Sequence, residues 1–421
     1  MKKIICLIGI LGCIIFVFPK EKKIEEVKIE NKKSNLLSMM LETSAGTGKY
    51  QKTTASSWPT EGYVFNEDLS KCEMGSSLSW DSINKKVIME GNGADKCYVY
   101  FDKTFTLAEY VKAQYTGTQG ENNLYYHDSS LENGAGDNSY RYAGSSETTN
   151  NFVCFGYDST DGSCPTDYLY RIIGVFDDQV KLIKYDYATS SALGENGAYN
   201  KSYANWCSSG NCGTSNGENK TSEIGAYYWN NLTNNNIWSQ SNLNTINLNE
   251  NYINYIGITW ASKIVQTQWK VGGNTIDNIG AAAVPTVIYK NEITNPQPGL
   301  YGNNEIIYGA NIKSKIGLMY ISDYYYAAES KIWGKQAFDY RSFKNINWMY
   351  MGLDDWTITR LSDVSNDVFN ANEYGYVLYC GVLDRNNVSY YSYAIRPCFY
   401  LNSNVTYKNG SGTISSPFII E

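Results

Sequence analysis

Beyond residue 200 the chain carries eight tryptophans: Trp206, Trp229, Trp238, Trp260, Trp269, Trp333, Trp348 and Trp356. Three segments in this region, SDYYYAA (322–328), INWMYMG (346–352) and LDDWTITR (353–360), crowd aromatic rings beside carboxylates and amides. Such a mixture suits carbohydrate: ring faces stack on the C–H faces of a sugar, and the polar groups hold its hydroxyls. The spacing predicts a ligand platform of Trp333, Trp348 and Trp356 with Tyr324, Tyr325, Asp323 and Asp355. The competing use of the same residues is to fill the gaps of a loop-rich core, leaving at most two or three toward a ligand.

Other chemistry is poorly supplied. Adjacent carboxylates occur at Asp177/Asp178 and Asp354/Asp355. The first pair reads as a hairpin tip and the second as a helix N-cap. A glycosidase needs two carboxylates facing across a cleft, and neighbours in one strand point to opposite faces. His127 is the one histidine, so a multi-histidine metal site is excluded and any His-dependent triad would rest on it. The loop DSTDGSCPTD offers Asp158, Asp161 and Asp167 as oxygen ligands for calcium, without the length or closing Glu of an EF-hand. There is no phosphate-binding loop and no dinucleotide fingerprint; no cofactor is expected. A net charge of −7 argues against nucleic acid as a partner.

The elements that would position these residues belong to an exported chain. MKK precedes an apolar run from Ile4 to Phe18 and then PKEKK, which fits a signal peptide or signal anchor over residues 1–19. As a helix the run covers roughly 23 Å, short of a comfortable bilayer span. Ile10-Leu11-Gly12-Cys13 loosely resembles a lipoprotein box. Residues 20–52, rich in Lys and Glu, read as a charged stalk or solvated tether. Eight cysteines follow the leader, an even number that suggests disulfides 72–97, 154–164, 207–212 and 380–398 by neighbour pairing: Cys72, Cys97, Cys154, Cys164, Cys207, Cys212, Cys380 and Cys398. Zinc is disfavoured by the lack of C-x-x-C spacing.

Residues 53–105 alternate apolar and polar side chains and predict a small β module of three or four strands, stapled by Cys72–Cys97. Residues 106–150 are polar and Gly-rich and read as a linker. A large domain is expected over 151–421. It contains a hairpin, YLYRIIGVF and QVKLIKYDY around Asp177-Asp178, and a helical stretch ending at Trp260. Further on come a buried strand over 316–321, strands at GYVLYCGVL and SYYSYAIRPCFYL, and a terminal hairpin turning at Asn409-Gly410. The class is α+β: loop-rich and mainly antiparallel.

YLYRIIGVF…VKLIKYD, SNLNTINLN, KIGLMYISDYYYAA and YAIRPCFYLN, in that order, resemble an uncharacterised extracellular domain family common in gram-positive gut bacteria. That family opens with a "wRII" hairpin and closes with a "VRP" strand, and the likeness covers roughly 151–421. The module at 58–102 is similar to small modules found before it. More remotely, Arg next to Cys on a terminal strand resembles C-type-lectin-like domains of the formylglycine-generating-enzyme type. That likeness implies paired first and last strands with binding loops, although the enzyme's copper-binding cysteine pair has no counterpart here. Arg396, a permanent cation in an apolar stretch, is expected to be structural and to meet a carboxylate or backbone carbonyls. The leading functional expectation is a membrane-anchored surface binding protein or adhesin, at the cell surface or secreted, that recognises glycan or another surface protein. A non-catalytic structural envelope protein comes second, and a carbohydrate-active or oxidative enzyme third.

Overall fold

Strand alternation builds the first unit. In β6 (Cys97–Lys103, CYVYFDK), Cys97, Val99 and Phe101 turn inward while Tyr98, Tyr100 and Asp102 turn outward. β6 sits between β1 (Leu37–Glu42), which runs parallel to it, and antiparallel β3 (Tyr63–Cys72), and β2 (Tyr50–Lys52) flanks β1. A hairpin of β4 (Ser77–Asp81) and β5 (Lys86–Glu90) supplies Leu78, Trp80, Val87 and Met89 to the inner face, where Trp80 meets Phe101 edge-on at 5.5 Å. The core is small, and Cys72–Cys97 staples neighbouring strands at its edge.

The computed structural model describes residues 37–421 apart from 60–61, 92–93, 160–161, 202–223, 234, 280–283, 297–312, 336–344, 373–374, 376 and 382–391. The chain divides into two units, Met1–Thr104 and Phe105–Glu421. The leader, residues 20–36 of the expected stalk, Trp206, Cys207, Cys212 and Asp161 lie outside the described residues. Two boundaries differ from expectation. Residues 37–52, taken as stalk, supply β1 and β2 of the small unit. Residues 106–150, taken as linker, are folded into the large unit. α1 (Leu107–Ala113) buries Leu107, Ala108 and Val111 behind a capping box between Thr106 and Glu109. β7 (Leu124–His127) and β8 (Ser139–Tyr142) then join the main sheet. The polar composition of this stretch is absorbed by turns and by side chains bonded to backbone rather than by a solvated linker.

The main sheet is built on the hairpin of β10 (Leu169–Phe176) and β11 (Gln179–Lys184), with Asp177 at a φ of 53° in its turn. β8 and β7 extend the sheet beyond β10, and β9 (Phe152–Cys154) pairs with β10 as well. On the other side β11 meets β19 (Cys398–Tyr400) and then β15 (Ile316–Gly317). Gly174 is required where β8 crosses, because a Cβ there would lie 2.4 Å from the Tyr140 carbonyl oxygen. A second sheet takes β13 (Gly273–Asn274), β16 (Asp355–Leu361), β17 (Asp367–Ala371) and β18 (Val377–Gly381) in that order. Two short ribbons complete the strands: β12 (Thr267–Gln268) with β14 (Lys313–Ser314), and β20 (Tyr407–Asn409) with β21 (Ile419–Ile420).

The helices are short: α2 (Ser190–Leu193), a π-helical run Leu243–Tyr252 leading into α3 (Ile253–Ser262), α4 (Pro285–Tyr289) and α5 (Ile321–Tyr326). The strand expected over 316–321 is therefore only its first two residues, since Asp323 caps a helix at Ile321. The fold is α+β, loop-rich and mainly antiparallel.

Of the four expected disulfides, Cys72–Cys97 and Cys154–Cys164 form. The pairing 380–398 does not. Cys380 lies on β18 of the second sheet and Cys398 on β19 of the main sheet, where it is a buried free thiol. Closing the 25-residue separation of Cys72 and Cys97 is worth on the order of 3 kcal/mol in the chain-entropy account. Replacing both cysteines by alanine is expected to remove about that much from the small unit. Hydrogen exchange at the β3 and β6 amides would read it as faster exchange there, with β10 and β11 unaffected.

Candidate functional site

The hairpin β10–β11 is covered on both faces, so its cations have no solvent side to turn toward. Arg171 solves this with neutral acceptors. Its Nε donates to Asn151 Oδ1 (2.6 Å), Nη1 to Ser146 Oγ (2.9 Å) and to the Trp348 carbonyl (3.2 Å), and Nη2 to the Thr149 carbonyl (2.8 Å). The rings of Phe152 and Trp348 lie 4.4 and 4.7 Å from its guanidinium carbon, and burial lowers its pKa to about 9. Lys184 donates to the Asp167 carbonyl at 2.8 Å, and burial brings it down to about 8. Lys181 meets the carboxylate of Asp323.

Three further cations are buried: Arg141, Arg396 and Arg360, the last with no hydrogen-bond partner for its Nε or Nη2 among the described residues. Arg141 donates to Asp137 (2.6 Å) and Ser139 (2.8 Å), amid the rings of Phe176, Tyr289 and Tyr326. Burial works to raise the Asp137 carboxyl, but Arg141 and the hydroxyls of Ser139 and Tyr289 outweigh it and hold it well below the usual carboxylate range. Arg396, in the extended stretch before β19, donates Nε to Asp355 Oδ2 at 2.5 Å, tying that stretch to β16 of the second sheet. Asp355 is thus a strand residue paired with an arginine rather than a helix N-cap.

These contacts account for the residues expected to bind a ligand. Trp333, Trp348 and Trp356 are each no more than 1% exposed, and their indole N–H groups donate to the carbonyls of Ala328, Tyr142 and Tyr227. Tyr324 and Tyr325 are fully buried, and the Tyr324 hydroxyl donates to the Gly375 carbonyl at 3.0 Å. Asp323 and Asp355 are buried partners of Lys181 and Arg396. The expected platform is interior: with little regular structure to fill the space between long loops, the largest side chains do so, and the indole N–H groups of Trp333, Trp348 and Trp356 are satisfied by backbone carbonyls. His127 is also interior, its Nδ1 accepting from the Ala135 N–H at 3.1 Å. Burial, with Arg141 adding to it, keeps it neutral.

A half-buried aromatic face exists elsewhere, on the outer side of the small unit's sheet. Tyr98 and Tyr100 of β6 stand on it beside Tyr50 of β2, whose ring meets that of Tyr100 edge-on at 5.0 Å. The Tyr50 hydroxyl donates to one oxygen of Asp102, and the Asn66 amide donates to the other at 2.7 Å. Partial burial, and next the Asp102 carboxylate, push the Tyr50 phenol up to about 12, so it remains a donor. Tyr98 donates to Glu73 at 3.3 Å, and Lys96 reaches the same carboxylate at 3.2 Å. A bulge between Asn66 and Lys71 swings Leu69 outward, 42% exposed, with Ser70 accepting the Tyr100 N–H. The alternation within CYVYFDK signals this face in the sequence, where tryptophans drew the attention instead.

Metal-ligand side chains gather at Cys72, Asp95 and Cys97, but the two sulfurs are bonded to each other, and Asp95 accepts the N–H groups of Met74 and Ser76. Asp158 and Asp167 of the proposed calcium loop are exposed. Comparison with family models, with curated proteins and with solved structures returns no match to this chain.

The Asp137 carboxylate contributes stability fully present above its ordinary value of 3.8 and lost as pH falls toward its depressed folded value. Asp137→Asn is therefore expected to cost roughly 2 kcal/mol at pH 7, the worth of a charge-assisted hydrogen bond. In urea denaturation the gap from the unsubstituted protein should shrink as pH drops below 3.8. A gap that stays constant with pH would rule out this role for the carboxylate.

Proposed function

We propose that the chain is an exported, membrane-anchored surface protein whose small unit binds glycan through Tyr50, Tyr98 and Tyr100, with Asp102 and Asn66 holding sugar hydroxyls. The observation that carries this reading is the outward face itself, where aromatic rings adjoin a carboxylate–amide pair. Asp102 accepts one bond at each oxygen from Tyr50 and Asn66, leaving lone pairs for a ligand hydroxyl. Export is supported by the basic, apolar amino terminus and by two disulfides, which need an oxidising compartment. In this reading the large unit, for which the resemblance suggests a C-type-lectin-like domain, is a scaffold. Trp333, Trp348, Trp356, Tyr324, Tyr325, Asp323 and Asp355 of that unit are buried, which also favours a structural envelope role for it.

The test is a glycan panel probed with the folded, oxidised chain, with and without calcium. Saturable binding weakened at least about tenfold by Tyr100→Ala, equivalent to roughly 1.4 kcal/mol, is the expected result. Trp356→Ala should lower stability while leaving the affinity of the remaining folded protein unchanged. Binding indifferent to Tyr100→Ala, or no binding across a broad panel, would overturn the assignment to this face.

A further inference from the structure

The contact between Lys181 and Asp323 differs from the other interior ion pairs in its surroundings. Lys181 Nζ lies 2.5 Å from Asp323 Oδ2 across a sequence separation of 142 residues, and both side chains are buried. Around the amine stand the rings of Tyr320 (4.4 Å), Tyr400 (5.4 Å), Trp269 (5.6 Å) and Phe176 (5.8 Å). An ammonium has three donors, and among these neighbours only Asp323 and the Tyr400 phenol accept from it. Asp323 is held still by the Tyr320 N–H, which donates to Oδ2 at 2.9 Å. Its other oxygen is 3.9 Å from Arg141 Nη1, a buried nitrogen with no hydrogen-bond partner among the described residues.

A second buried carboxyl, Glu292, bonds to neighbours of the pair rather than to the pair itself. Glu292 is fully buried and accepts from the N–H of Ser322, the residue before Asp323 (3.2 Å), and from the Thr359 hydroxyl (2.5 Å). No cation pairs with it among its described contacts. Burial, and to a lesser degree the Asp323 charge, push it up to about 7, so that it carries a proton for much of the time near neutrality.

We propose that Lys181 and Asp323 condense to an intramolecular amide that covalently joins β11 to α5, with Arg141 stabilising the tetrahedral oxyanion. Burial works to lower the Lys181 ammonium, but the Asp323 carboxylate outweighs it, so the resting pair is ionic. Moving one proton from Nζ to the carboxyl gives a neutral amine against a neutral acid, a form that an apolar enclosure favours. The Nζ lone pair then attacks Cγ of Asp323, and the negative charge that develops on Oδ1 faces Arg141 Nη1. The second proton passes from the nitrogen to the departing oxygen. The Nζ–Cγ bond forms, the Cγ–Oδ2 bond breaks, and one water leaves. No oxidant, nucleotide or other reactant enters the balance. Enclosure of the two groups at contact distance replaces a bimolecular encounter, and the product removes two buried charges.

The full chain, purified folded, reduced and then denatured, is expected to be lighter by one water than its sequence requires. A tryptic digest should contain one branched peptide joining the Lys181 and Asp323 segments, with no cleavage after Lys181. Lys181→Arg keeps the charge and should give only linear peptides, as should Asp323→Ala. Linear peptides at full yield from the folded, unsubstituted protein would overturn the amide and leave a salt bridge. This reading needs no variant to fold.

Discussion

A cation removed from water needs either a counter-charge or a full set of acceptors, and the central hairpin of the large unit removes three. Much of the unit is arranged by that requirement. Arg171 fixes the stretch from Ser146 to Asn151 and the backbone at Trp348 by drawing on them for acceptors. Lys184 holds the segment that enters β10 through the Asp167 carbonyl, and Lys181 sets the position of α5 through Asp323. Loops with little regular hydrogen bonding of their own thereby acquire defined positions. Arg396 does the same between sheets, linking the approach to β19 with β16 through Asp355.

The aromatic residues serve the same end from the apolar side. Trp348 illustrates the coupling: its ring covers Arg171, its carbonyl accepts from that guanidinium, and its indole N–H donates to Tyr142. Removing it would leave a charge unshielded as well as a cavity. Gly317 shows the tightness of such packing, since a Cβ there would lie 2.7 Å from the Trp269 ring. A tryptophan placed this way has no face left for a ligand.

How much of this could be read from the sequence depended on whether the signal was local. The hairpin at Asp177-Asp178, the helical run before Trp260 and two of the disulfides are written in neighbouring residues, and they appear. The α+β class follows from the same local patterns. Residues 106–150 were misjudged because their polar side chains bond to nearby backbone, which composition does not distinguish from solvation. Cys380 and Cys398 were paired by proximity in sequence, whereas the chain sends them to different sheets. The ligand platform failed for a related reason. A tryptophan in a loop looks alike whether the loop faces water or another loop, and only long-range contacts decide. Arg171, Lys181 and Glu292 went unremarked because their partners lie at a distance along the chain.

The contrast between the two units then bears on where recognition can occur. The small unit is a single sheet with one hairpin packed against its inner face, so its outer face has no second layer of its own to cover it. Tyr98 and Tyr100 alternate outward because Cys97, Val99 and Phe101 must alternate inward, and a pleated strand leaves no other choice. In the large unit the central strands are buried on both faces, so aromatic residues there are taken into packing before they can serve a ligand. The large unit nonetheless leaves Tyr157 and Tyr255 exposed at its surface, whereas Tyr50, Tyr98 and Tyr100 of the small unit are half-buried. The proposed recognition face therefore rests on strand alternation in a module stapled by one disulfide, Cys72–Cys97.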